Sequence, residues 1–140
     1  MPGSNSLPII EGLTSIRSSF GPKETMDRLV AEINAAGMTV FARIDHAGGA
    51  AEVGLKLAPT ELIIFGNARA GTPLMQSVQT VGIDLPLKVL VWEDAAGKTW
   101  LSYNEPSWIA GRHGVRNAEQ VAGKMATALS AMARKAANPN

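Results

Sequence analysis

Along residues 38–45, Met38, Val40, Ala42 and Ile44 alternate with Thr39, Phe41, Arg43 and Asp45. A period of two predicts a strand with one buried face. Before it, Gly21-Pro22 opens a helix with proline at the first helical position, where its missing N–H costs nothing. Met26, Leu29, Val30 and Ile33 then form one apolar stripe, and Gly37 closes the helix as a left-handed cap. Thr60–Phe65 is nearly continuous in apolar character, as expected of a strand inside a sheet. Leu87, Val89 and Val91 alternate with Lys88, Leu90 and Trp92. The turn Asp94-Ala95-Ala96-Gly97 leads to a partner strand over Lys98–Tyr103, which predicts a hairpin. Leu13 and Ile16 mark a shorter strand over Leu13–Ser18.

Four further helices are predicted. A short one falls in the small, Gly-rich stretch His46–Gly54. Another starts at Thr72-Pro73 and runs to Val81, with threonine as cap and proline at the first position. A third spans Pro106–Arg112. The last is long: Asn117 with Gln120 resembles a capping box, and Ala118, Val121, Ala122, Met125, Leu129, Met132 and Ala133 recur at helical spacing.

The order is therefore β-α-β-α-β-α-β-β-α-α. It predicts the α+β class: a two-layer arrangement in which a mixed sheet of about five strands carries helices packed against it. With no repeat, low-complexity segment or Pro/Gly/Ser-rich linker, the 140 residues divide into a flexible arm, 1–12, and one α+β domain, 13–137.

Composition narrows the chemistry. A hydrophobic content of 46% against 18% charged residues supports a packed core. The 13 basic and 12 acidic residues leave a net charge of +1, too little to hold nucleic acid or an anionic membrane through a broad basic field. The apolar run Leu62–Phe65 is far too short for a membrane span. The absence of cysteine excludes disulfides, thiolate metal sites and cysteine nucleophiles. Residues 1–10 lack the basic, apolar and small-residue regions of a secretory signal, so the expected location is cytoplasmic. Hydrolase, zincin and EF-hand motifs do not occur.

Few residues remain as candidates for a site. Asp45-His46 is an acid–histidine pair at a strand end beside a Gly-rich turn, where sites concentrate. It can supply a general base, or a metal ligand together with a carboxylate, or a helix cap beside a hydrogen-bonded histidine, which is the better reading. Asp84 sits in a loop before a strand, either shaping a turn or joining Asp45 in a polar cluster. Gly66-Asn67-Ala68-Arg69-Ala70-Gly71-Thr72 has the glycine spacing of a phosphate loop. Thr72 replaces the expected lysine, however, and Pro73 removes a helix-start N–H, so a tight turn is the better reading. His113, at a helix C-terminus, fits a capping role. Trp92, Trp100, Tyr103 and Trp108 gather in the hairpin and the following helix, as cross-strand packing requires. Met26, Met38, Met75, Met125 and Met132 fit apolar stripes, and no metal site is inferred.

The blocks Gly37–His46, Pro59–Asn67, Gly71–Met75, Asp84–Lys88 and Trp92–Asp94, in this order, resemble the domain of unknown function 302 family over residues 21–114. The resemblance implies a small bacterial or archaeal α+β domain that forms homodimers, with no established reaction. Asp45, His46, Phe65, Gly66, Asn67, Asp84, Leu85 and Pro86 match its signature positions; Ala68 departs from the proline often found there.

The expected function is binding of a small-molecule ligand or partner in a polar cleft formed by Asp45, His46, Asn67 and Asp84, without a cofactor assigned. An alternative is an enzyme with His46 as general base, oriented by Asp45 or Asp84, and Asn67 as a donor. Another alternative is a homodimerisation or assembly module using the face Ala118–Ala133, if that stripe covers a second copy rather than the chain's own sheet.

Overall fold

The computed structural model describes residues 7–139. Along them run β1 (Leu13–Arg17), α1 (Pro22–Ala35), β2 (Thr39–Asp45), α2 (His46–Glu52) and β3 (Thr60–Gly66). These are followed by α3 (Ala68–Ser77), a 3₁₀ turn (Gln79–Ile83), β4 (Leu87–Glu93), β5 (Thr99–Asn104), α4 (Pro106–Arg112) and α5 (Glu119–Ala137). The strands form one five-stranded sheet in the order β1-β5-β4-β3-β2.

The α+β class is as read from the sequence, but the sheet is not mixed: every neighbouring pair is antiparallel. Parallel neighbours need a long crossover. Here the α2 segment returns the chain at one end of the sheet, so Asp45 pairs with Glu61. The α3 segment returns it at the other, so Phe65 pairs with Leu87. Only α1 crosses the sheet. It connects the two edge strands, which are not neighbours.

Helices α1 and α5 pack together on one sheet face. Ile63, Phe65, Val89, Val91, Leu101 and Tyr103 meet Met26, Leu29 and Ile33 of α1 and Met125, Leu129, Met132 and Ala133 of α5 in one buried cluster. The α5 stripe is thus covered by its own chain, with Leu129 1% and Ala133 0% exposed, and is not a spare face for a second copy. On the opposite sheet face, Leu62, Ile64, Leu90, Trp92 and Trp100 are half-buried. The two tryptophans stack at 6.3 Å, as the hairpin pattern suggested.

Local chemistry sets most helix ends. The α1 terminus is a Schellman motif: Gly37, at φ 73°, donates to the Asn34 carbonyl, and Met38 donates to that of Ile33. Two expected starts are displaced. Helix α3 begins at Ala68, not Thr72, because the Asn67 side chain accepts from the Arg69 N–H at 2.8 Å and caps it there. Pro73 therefore lies inside the helix. The capping box at Asn117 does not form: Asn117 is left-handed at φ 57°, and α5 starts after Ala118 with no side-chain cap.

Strand β2 also differs from expectation. As an edge strand it is exposed at most positions instead of burying one face. A bulge between Val40 and Ala42 breaks its register. Of the arm expected over residues 1–12, residues 1–6 lie outside the described residues. Its last two are held: the Glu11 carboxylate accepts from the Trp108 ring N–H, and the Gly12 carbonyl accepts from the Glu105 N–H.

Candidate functional site

The register of β2 on β3 separates the four candidate residues. Asp45 pairs with Glu61 at one end of this ladder, and Thr39 pairs with Gly66 at the other. Six residue steps of extended chain separate them, roughly 20 Å. Asp45 and His46 stand at the first end, whereas Asn67 and Asp84 flank β3 and β4 at the second. The expected four-residue rim is therefore two separate places. A strand's period fixes which face a residue takes, but the ends that meet depend on pairing direction.

At the first end, Asp45 is the N-cap of α2, accepting from the Gly48 N–H at 2.9 Å. Nearby, Arg43 grips Glu61 through Nε and Nη2 at 3.0 and 3.1 Å. Asp45 lines a hollow of about 420 Å³ with this ion pair. His46, the first residue of α2, has no carboxylate partner among the described side-chain hydrogen bonds, so neither proposed orienting acid reaches it.

At the second end, Asp84 follows the 3₁₀ turn and faces the end of α4. Both its carboxylate oxygens accept from Arg112 at 2.8 Å, and Oδ2 lies 2.6 Å from His113 Nε2. The other ring nitrogen, Nδ1, is 2.9 Å from the Thr80 hydroxyl. Burial acts to raise the Asp84 pKa, but the His113 and Arg112 bonds outweigh it and hold the carboxyl below its ordinary value. Desolvation lowers the pKa of Lys88, whose ammonium donates to the Asp84 and Pro86 carbonyls.

Thr80, His113 and Asp84 have the linear order of a nucleophile, a base and an orienting acid. None of the three lines either hollow, and Arg112 shares the carboxylate, so the arrangement ties the 3₁₀ turn to α4. His113 does end α4, as its position indicated. Its link to Asp84, across 29 residues, had no local sequence signal.

The same end of the sheet also carries the larger cavity, of about 500 Å³, between the β2–β3 end, α3 and α5. Its walls include Met38, Phe41, Met75, Leu85, Val121, Met125 and Ala128. Phe41 sits at the β2 bulge, the kind of irregularity that re-aims a side chain beside a site. Asn67 is the one sequence candidate in the wall, joined by Arg69 of α3 and Lys124 of α5. Three of the methionines read as stripe residues belong to this wall. Among the described residues, no three His, Asp or Glu side chains gather in a way that could hold a metal ion.

The model of the family described as domain of unknown function DUF302 matches residues 14–132. The chain belongs to the DUF302 family. A crystal structure of a conserved DUF302 protein from Bacillus stearothermophilus has the same fold, with a TM-score of 0.82 at 20% identity, covering 91% of this chain and 99% of that one. Curated relatives from Brucella suis and Brucella abortus are named fluoride-specific ion channel FluC 1. Each is 47% identical over 130 residues, which is 92% of this chain but only 51% and 48% of theirs. This DUF302 chain thus spans about half the length of the curated relatives it matches. Among its described residues, no helix is long and apolar enough to cross a membrane.

Proposed function

We propose that this DUF302 domain binds a small, largely apolar molecule in the cavity between α3, α5 and the end of the β2–β3 ladder. The observation that carries this reading is the cavity itself. Its volume of about 500 Å³ is that of a small-molecule pocket, and its methionine-rich wall adapts readily to apolar shapes. Asn67 supplies the orienting polar group. Titration with the neutral fluorescent probe N-phenyl-1-naphthylamine tests it. Emission should rise on wild-type protein and fail to rise on Ala128→Phe, which fills the cavity from α5; equal signals from two folded proteins would reject the site.

A second reading comes from the relatives. Their match to this chain takes up about half of each and leaves as much polypeptide again for other parts. The domain then serves as an accessory binding unit beside a membrane ion channel. Co-expression with the non-matching half of the Brucella suis relative should give a complex that survives purification; separate elution would remove the accessory role.

The homodimer implied by the family resemblance would extend the sheet through the outer edge of β2, where Ile44 is 40% exposed. Ile44→Lys should shift dimer to monomer in light scattering. A monomeric wild type, or an undisturbed dimer, would refute pairing through this edge.

A further inference from the structure

Among the described residues, the mostly apolar cavity wall carries two cations and no carboxylate. Arg69 comes from the first turn of α3 and Lys124 from the second turn of α5. Neither side chain has an ion-pair partner among the described residues, although the other hollow has its arginine matched by Glu61. The chain as a whole carries a net charge of only +1. Asn67 adds a third polar group, its oxygen already engaged by the Arg69 N–H and its amide nitrogen left to donate.

From this arrangement we infer that the cavity takes a single-chain amphiphile with an anionic head, a carboxylate or phosphate monoester, its tail among the methionines and its head between Arg69 and Lys124. The inference rests on the cavity reading above. An anionic head in this wall meets two cations and no carboxylate among the described residues, so both of its charge interactions are attractive, whereas a cationic ligand meets two repulsions. A nucleotide is disfavoured because β3 runs to Gly66 and α3 starts at Ala68, which leaves no glycine-rich loop to wrap its phosphates. A two-chain phospholipid exceeds about 500 Å³, which favours a free amphiphile over a bilayer lipid.

The experiment displaces N-phenyl-1-naphthylamine with decanoate, decanol and decylammonium, which share a tail and differ in head charge. Decanoate should bind more tightly than decanol by roughly three- to tenfold, the scale of two partly exposed ion pairs, and decylammonium most weakly. The preference should shrink as salt is raised. In Arg69→Gln/Lys124→Gln it should vanish while decanol affinity holds. Equal binding of decanoate and decanol to wild type, or a preference that survives the double substitution, overturns the head-group inference and leaves the apolar site standing. Failure of all three compounds, with no probe signal, sinks the site as well. Flotation with phosphatidylglycerol vesicles, without displacement by monomeric decanoate, would put the anion in a lipid surface and overturn the free-amphiphile assignment.

Discussion

Gly12 shows how much one side chain's absence decides. It is left-handed at φ 76°, and a Cβ there would run into the Trp108 ring. Gly12→Ala carries both penalties, roughly 1–2 kcal/mol for the backbone alone. The expected outcome is a lower melting temperature and altered Trp108 fluorescence. Asp84 makes a different point. Because its folded pKa is depressed, the stability from its Arg112 and His113 contacts is present above the unfolded carboxylate value, about 3.9, and is lost as pH falls through the lower folded value. Asp84→Asn should therefore be less stable than wild type at neutral pH, and the gap should close below about pH 4 in denaturant titrations. Neither effect was readable from neighbours in sequence: Trp108 and Arg112 reach these sites from another element. By contrast, Gly37 was legible, because a helical stripe ending in glycine specifies its own left-handed cap.

At the scale of elements, the stripe in α1, the continuous run in β3 and the hairpin β4–β5 formed where their patterns indicated. Elements went astray where two local signals competed. Thr72-Pro73 and Asn67 could each begin α3; the asparagine side chain wins by capping an earlier N–H, and Pro73 is carried inside. The end of α5 depends on a residue from elsewhere. Arg28 of α1 donates to the Lys135, Ala136 and Asn138 carbonyls and stacks over Phe20 at 4.2 Å. These carbonyls are the unpaired acceptors every helix leaves at its C-terminus. Arg28→Ala should cost about 1.5–3 kcal/mol, on the scale of hydrogen bonds to a charged donor. It should also raise amide hydrogen exchange in the last turn of α5. Arg28→Lys should rescue only part of this, since lysine lacks the planar fork.

For the whole molecule, the α5 stripe was the open question, because a helix stripe looks the same whether it covers its own sheet or a second copy. Burial of Leu129 and Ala133 answers it. Leu129→Ala should cost about 2–5 kcal/mol in denaturant unfolding without changing the mass seen by light scattering. A change of mass with little loss of stability would contradict the inward packing.

The sequence by itself determined the class, the identity of most elements and the family, because hydrophobic period, caps and turn residues act within a few positions of one another. It also placed Asn67 in the turn between a strand and a helix, which is a local fact. Only the tertiary structure decided that all strands pair antiparallel, which sends Asp45 and His46 to one end of the sheet and Asn67 and Asp84 to the other. It also decided that Asp84 meets His113, and that Met38, Met75 and Met125 wall a cavity with Arg69 and Lys124. Each of these is a meeting of residues far apart in the chain, set by strand direction and helix packing, and a one-dimensional pattern carries no term for either.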